Sequence, residues 1–149
     1  MSSIAVKTLT TIGLGLLLVA CSPSAGRRDV PAGTDRVVEL SMEGMHFIPD
    51  RIEVRAGELV AFVVTNPNDI PHEVYIGTEA DQVAHHAMHM AAAASAQAQV
   101  PHGGYGIFLD PHETAVVSYR FDTPGTVLLG CHLPGHWEAG MVATVVVTP

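Results

Sequence analysis

Gly130-Cys131-His132-Leu133-Pro134-Gly135-His136-Trp137-Glu138-Ala139-Gly140-Met141 is the most informative run of this 149-residue chain. Its chemistry reduces to Cys-x4-His-x4-Met, carried by Cys131, His136 and Met141. A soft thiolate, an imidazole and a thioether on one loop suit copper. Gly135, Gly140 and Pro134 give the loop the bends needed to fold around an ion. A second imidazole has to come from elsewhere, and Pro71-His72-Glu73-Val74, at the start of a strand straight after a turn, offers one. Two histidines and one cysteine in a trigonal plane, with a weak axial methionine, make the blue-copper ligand set. Each residue alone has a commoner role: Cys131 as a buried thiol, Met141 as a core residue, His136 as a loop histidine. A zinc site is disfavoured because methionine is an unusual zinc ligand. A binuclear copper centre needs two cysteines in the loop, and this loop has one.

Composition agrees. Nine histidines and six methionines make a metal-ligand composition. A hydrophobic fraction of 48% with 15% charged residues excludes a disordered or coiled-coil chain. Seven Lys and Arg against fifteen Asp and Glu exclude a typical nucleic-acid binder, which needs clustered cations for phosphate. Two cysteines, Cys21 and Cys131, are too few for a disulfide scaffold.

From Arg36 onward the pattern is β. Arg36–Leu40, Arg51–Val54, Leu59–Thr65, Glu73–Ile76, Thr114–Phe121, Thr126–Leu129 and Met141–Thr148 read as short strands separated by Gly, Pro, Asn and Asp. Seven such strands predict an all-β, two-sheet Greek-key sandwich. One helical insertion, residues 78–106, interrupts it. Thr78 to Gln99 lacks Gly and Pro and is rich in Ala, which predicts a helix from about Glu79 to about Gln97. Thr78 is its N-cap, and Glu79 and Asp81 suit the helix dipole. Val100–Leu109 reads as the loop back to the sheet.

At these motifs the chain resembles the cupredoxins, the family of plastocyanin, azurin, pseudoazurin and rusticyanin. The Pro-Gly-His segment, the two ligand spacings and the Gly-Met ending are closest to the rusticyanin-like loop. Asn66 and Pro71-His72 match the family's approach to its first histidine. The resemblance covers roughly Arg36 to Thr148, the insertion apart. It implies one type 1 copper with His72, Cys131 and His136 as equatorial ligands and Met141 as axial ligand. It also implies a surface-reaching His136, with Leu133, Pro134, Trp137 and Val142 as the apolar patch where a redox partner docks. Trp137 is equally readable as a core aromatic. Many cupredoxins carry Asn after the first histidine, where it pins the loops around the thiolate. Here that residue is Glu73, and a carboxylate near the thiolate would disfavour the reduced centre. Strand period points His132 away from the metal. The insertion and layout resemble exported cupredoxins associated with bacterial copper tolerance.

The predicted helix carries a second metal signal in His85, His86, Met88, His89 and Met90. Residues three and four apart share a face, so Asp81, His85, Met88 and His89 fall in one arc, with His86 and Met90 beside it. Mixed His and Met ligands favour copper, Cu(I) in particular. The plainer alternative is an amphipathic helix with its Met residues on the sandwich and its His residues in water. Met42, Met45 and His46 form a smaller cluster that strand alternation would not bring together. His102 and His112 read as ordinary loop histidines.

Residues 1–20 read as an export signal. Lys7 starts it, and Leu9 to Ala20 is apolar or small but shorter than the ~20 residues that span a bilayer. Leu18-Val19-Ala20-Cys21 resembles the bacterial lipobox, which makes Cys21 the lipid-bearing residue; the alternative is an ordinary signal with an incidental cysteine. Residues 21–35 are a Ser-, Pro-, Gly- and Arg-containing linker, and residues 36–149 are the domain. Loss of Lys7, the lone lysine, leaves six cations against the fifteen acids, a formal charge of −9. Membrane contact should then run through Cys21 alone. The expectation is an exported, lipid-anchored copper protein on the periplasmic face of a bacterial membrane. It is either a one-electron carrier or a factor that buffers, sequesters or oxidises Cu(I), and in neither case an enzyme with further copper sites.

Overall fold

The computed structural model describes residues 29–94, 100–103 and 105–149. The export signal, Cys21 and the first part of the linker lie outside the described residues. Two sheets pack face to face. One has the order β2-β1-β4-β7, from β1 (Arg36–Glu43), β2 (His46–Ile48), β4 (Glu58–Thr65) and β7 (Thr114–Phe121). The other has the order β3-β9-β8-β5-β6, from β3 (Arg51–Arg55), β9 (Val142–Thr148), β8 (Gly125–Gly130), β5 (His72–Gly77) and β6 (Gly106–Leu109). Strands β1 and β4 run parallel, as do β3 and β9; the other pairs are antiparallel.

Alternation sets which side chains enter the core. In β3, Ile52 and Val54 point in while Arg51, Glu53 and Arg55 point out; in β9, Ala143, Val145 and Val147 point in. Phe47, Phe62 and Phe121 fill the space between the sheets, with Phe62 and Phe121 edge to face at 6.3 Å. Two expected boundaries change. Strand β6 forms within the stretch expected as loop, and β2 lies outside the expected strands, because three or four residues beside Gly and Pro carry too little periodicity; each forms by pairing at a sheet edge, β2 on β1 and β6 on β5. Met141 lies just before β9, not within it.

Helix α1 (Glu79–Ala94) starts where expected, and Gln97 lies outside the described residues. Asp81 accepts from the Thr78 amide at 2.9 Å and the Thr78 hydroxyl at 2.6 Å, while the Asp81 amide donates back to Thr78 Oγ1 at 3.3 Å. The helix packs across β5 and β8, on the face of that sheet opposite the core. Gln82 anchors it: the fully buried amide donates to the carbonyls of Tyr75 at 3.1 Å and Leu128 at 2.9 Å.

Candidate metal centre

The run from β8 into β9 is a tight loop. The His136 amide donates to Leu133 O at 2.9 Å, the Met141 amide to His136 O at 3.1 Å and the Cys131 amide to Met141 O at 3.2 Å. Gly135 and Gly140 have φ of 85° and 84°, left-handed conformations that let the chain turn back within so few residues. These bonds bring Cys131, His136 and Met141 together. His72 arrives from the adjacent strand at the same end of the sandwich.

The ligand atoms of His72, Cys131 and His136 lie within 4.8 Å of one another. Cys131 Sγ is 3.2 Å from His136 Nδ1 and 4.0 Å from His72 Nδ1. Metal bonds of about 2.0–2.3 Å at open angles separate neighbouring donors by roughly 3.3–3.8 Å, so these spacings suit one ion. Met141 is fully buried in the same cluster of core residues as Cys131. The donor set, two imidazoles with a thiolate and a buried thioether, fits copper better than any other common ion.

Electrostatics keep these donors ready. Burial pushes the Cys131 thiol up to about 12, so the thiol keeps its proton until a metal displaces it. Burial, reinforced by the neighbouring His136, lowers His72 to about 4, and burial also lowers His136. Both imidazoles are therefore neutral at pH 7, with lone pairs free for a cation. Among the four, His136 alone is partly exposed. Around it Leu133, Trp137 and Val142 are half-buried and Pro134 is exposed.

Asn66 fixes the approach to His72. Its fully buried amide donates to Ile70 O at 2.9 Å and Asp110 O at 3.0 Å, and its Oδ1 accepts from the Asn68 amide at 3.1 Å and Asn68 Nδ2 at 3.0 Å.

Glu73 lies near the thiolate, as expected, and its charge adds to the burial that raises the Cys131 thiol. Its backbone amide faces Sγ of Cys131 at 3.5 Å, but strand alternation carries its side chain to the opposite face of the sheet. There the carboxylate accepts from the His132 amide at 2.8 Å. Glu73 thus pins the first-histidine strand to the cysteine loop, the service that Asn gives in the resembling family. Burial alone would raise its pKa; hydrogen bonds from His102, His85 and His89 outweigh that and hold it well below the usual carboxylate range.

His132 points away from the metal donors, as strand period predicts. Its Nε2 lies 2.7 Å from Gln82 Oε1, its Nδ1 3.4 Å from His86 Nδ1, and its ring stacks on Trp137 at 4.4 Å. Trp137 is thus a half-buried cover over His132, between the two roles expected of it.

The helix departs from both sequence readings. His85 and His89 face inward and are buried, whereas Met88 and Met90 are 46% and 51% exposed. The inward face is Gln82, His85, His89 and Ala92. A register of 82, 85, 89 and 92 leaves no inward place for 88 or 90. Asp81 is spent on the helix cap, and His86 turns to His132 and to Glu138, 3.6 Å away. The plainer alternative, Met inside and His in water, is reversed. His102 is not an ordinary loop histidine: its Nε2 lies 2.9 Å from Glu73 Oε2. His112 is exposed, beside Asp69 at 3.0 Å. Met42 is in the core, His46 is exposed and Met45 is half-buried, so that trio forms no site.

Comparison with known proteins agrees with this geometry. The chain is 37% identical over 123 residues to the copper-resistant cuproprotein CopI of Rubrivivax gelatinosus, covering 82% of this chain and 72% of that one. It is 26% identical over 149 residues to the protein of the same name from Pseudomonas aeruginosa, covering 83% and 82%. The structure of auracyanin B superposes with a TM-score of 0.66 at 25% identity, covering 80% of this chain and 94% of that chain. The family model described as copper binding proteins, plastocyanin/azurin family, matches residues 35–148, the whole sandwich including His72, Cys131, His136 and Met141. A sandwich of this order, with Cys, His and Met on its last loop and His on a neighbouring strand, belongs to the plastocyanin/azurin family of copper-binding proteins, the cupredoxins.

Proposed function

We propose that this cupredoxin moves single electrons through a type 1 copper held by His72, Cys131, His136 and Met141, in the service of copper tolerance outside the cytoplasm. The observation that carries the reading is the meeting of His72, Cys131 and His136 beside buried Met141. When bound, copper supplies a one-electron couple; the chain supplies its surroundings. The loop hydrogen bonds hold the donors in one arrangement, so a change of oxidation state moves few atoms. Buried Cys131 and Met141 keep water from the thiolate side. Half-exposed His136, ringed by Leu133, Pro134, Trp137 and Val142, gives a partner protein a short apolar contact with the centre. The link to tolerance rests on the names of the relatives, both copper-resistant cuproproteins. Among the described residues no helix is long and apolar enough to cross a membrane. Membrane attachment is proposed through Cys21, on the strength of Leu18-Val19-Ala20-Cys21.

The test is copper reconstitution followed by the visible spectrum and one-electron reduction. An intense thiolate-to-copper band, absent in Cys131→Ser and bleached reversibly by a reductant, is the expected result. A folded, copper-loaded protein without that band would refute the reading. Cys21→Ala should release the protein from the membrane fraction; retention there would refute the anchor.

A second reading, in which the protein binds or oxidises excess copper, is favoured by the inward-facing His85 and His89. A strain expressing His85→Ala/His89→Ala in place of the native chain should then lose copper tolerance while the visible band persists.

A further inference from the structure

Behind the first centre, on the opposite face of the β5–β8 sheet, three imidazoles converge on one buried carboxylate. His89 Nε2 and His102 Nε2 lie 3.0 and 2.9 Å from Glu73 Oε2, and His85 Nε2 lies 3.4 Å from Glu73 Oε1. His85 Nε2 and His89 Nε2 are 3.2 Å apart. Glu73 and His85 have no exposed surface, and His89 has 8%. We propose that Glu73, His85 and His89 form a second metal site, distinct from the Cys131 centre, that takes a divalent copper ion, with His102 holding the Glu73 carboxylate from the side. The proposal deepens the copper-handling reading and does not depend on the type 1 centre.

Geometry argues first. Donors around one ion at about 2.0–2.1 Å stand roughly 3.3–3.4 Å apart along the edges of a tetrahedron, and three protein donors leave its fourth corner to solvent. One donor atom each from Glu73, His85 and His89 lie within 4.8 Å of one another, with His89 Nε2 3.0 Å from Glu73 Oε2 and 3.2 Å from His85 Nε2. Hydrogen bonds to Glu73 do not account for the 3.2 Å approach of His85 Nε2 to His89 Nε2. If both helix imidazoles donate from Nε2 to Glu73, their two N–H groups crowd each other across 3.2 Å. If one accepts from the other, it no longer donates to the carboxylate. His85 Nδ1 is also buried without a hydrogen-bond partner, an orphaned polar atom at the cluster. A divalent ion replaces the opposed protons and balances the carboxylate at one stroke.

The surroundings are those of a metal site. The His132 amide holds Glu73 Oε1 at 2.8 Å, and Tyr75 stacks on His85 at 3.8 Å, so both ligands are oriented from outside. A cleft of about 350 Å³, lined by Glu73, His89, Val100, Pro101, His102 and Phe108 among others, opens onto the cluster and gives an ion its path in. Ligand type selects the ion. Exposed Met88 and Met90 supply no thioether here, so the site is imidazole and carboxylate and suits Cu(II) or Zn(II) rather than Cu(I). Between those two, the order of affinities favours Cu(II).

The site is also tied to the first. Glu73 Oε1 meets the His132 amide, whose nitrogen is bonded to Cys131 itself, and the Glu73 amide faces Cys131 Sγ. One residue thereby touches both.

The experiment titrates Cu(II) into the protein, Cys131→Ser and His89→Ala/His102→Ala, reading bound metal by mass spectrometry and copper spin resonance. The wild type should hold two coppers. Cys131→Ser should hold one, without the thiolate band and with nitrogen splitting from several imidazoles. His89→Ala/His102→Ala should keep the band and lose the second copper, its affinity falling by at least about 100-fold. A wild type saturating at one copper, or Cys131→Ser binding none while folded, overturns the second site. Tight binding of Zn(II) but not Cu(II) by Cys131→Ser overturns the choice of copper. Failure of the type 1 reading shows separately, as a missing band in the wild type.

Discussion

Replacing Asn66 by Ala tests whether the first-histidine loop is held by its side-chain hydrogen bonds. The residue is fully buried, and four of its bonds lie between 2.9 and 3.1 Å. Each contributes about 1 kcal/mol net, and the carbonyls of Ile70 and Asp110 would be left without that donor. Asn68 is partly exposed, so water recovers some of its loss. The sum is a destabilisation of about 3–4 kcal/mol. The assay is urea unfolding of the copper-free protein, because bound copper would add its own stabilisation to the folded state. The midpoint should fall accordingly, with Tm lower by about 10–20 °C. Asn66→Asp sharpens the test. It keeps the acceptor that Asn68 uses but turns an anionic oxygen towards the two carbonyls, so it should destabilise at least as much at pH 7 and recover partly in acid. A loss below about 1 kcal/mol for Asn66→Ala, with a native circular dichroism spectrum, would refute the reasoning.

Gly130→Ala should cost about 1–3 kcal/mol through overpacking, since its Cβ would stand 2.5 Å from Gln82 Oε1 and 2.8 Å from the Trp137 ring; urea unfolding measures it. The copper-free protein should lose stability as pH falls from about 7 to 4. His72 and His132 are both lowered from 6.5 to about 4, chiefly by burial, so the unfolded chain takes up protons first. Each can contribute up to roughly 3 kcal/mol, and a pH-independent unfolding midpoint over that window would contradict it. Cys131, fully buried with its thiol raised to about 12, should ignore a thiol reagent at pH 8 in the folded copper-free protein and react fully in denaturant. Rapid reaction in the folded state would show that the donor pocket opens to solvent.

The sandwich and the first centre were legible because their signals are local. Cys131, His136 and Met141 share one loop, and His72 sits after a turn that Asn66 and Pro71 announce. Strand alternation along Ile52 and Val54, or Ala143, Val145 and Val147, needs no partner to be seen. The second cluster was only half legible. The i, i+4 spacing of His85 and His89 marked a shared face, but spacing does not say which face turns inward. That was decided by Gln82, whose amide binds carbonyls on β5 and β8, so His85 and His89 go in and Met88 and Met90 stay out. His102 gave no local signal at all. It reaches Glu73 because β6 pairs with β5, and β6 was itself invisible in the sequence.

Glu73 shows why the one departure from the resembling family is not a flaw in the site. A carboxylate on the same face as the thiolate would repel it across a short, dry gap. The two-residue period of β5 sends His72 to the core face and Glu73 to the helix face, which leaves the carboxylate's charge the last of the causes raising the Cys131 thiol, well behind burial. The same period separates Cys131 from His132. Each face then needs its own charge balance. The core face pairs a thiolate with a cation from outside, and the helix face surrounds a carboxylate with His85, His89 and His102. A helix laid across that face is what makes a buried Glu tolerable there. Helix α1 and Glu73 therefore depend on each other, and substituting Glu73 while leaving the three imidazoles in place should cost more than removing the whole cluster.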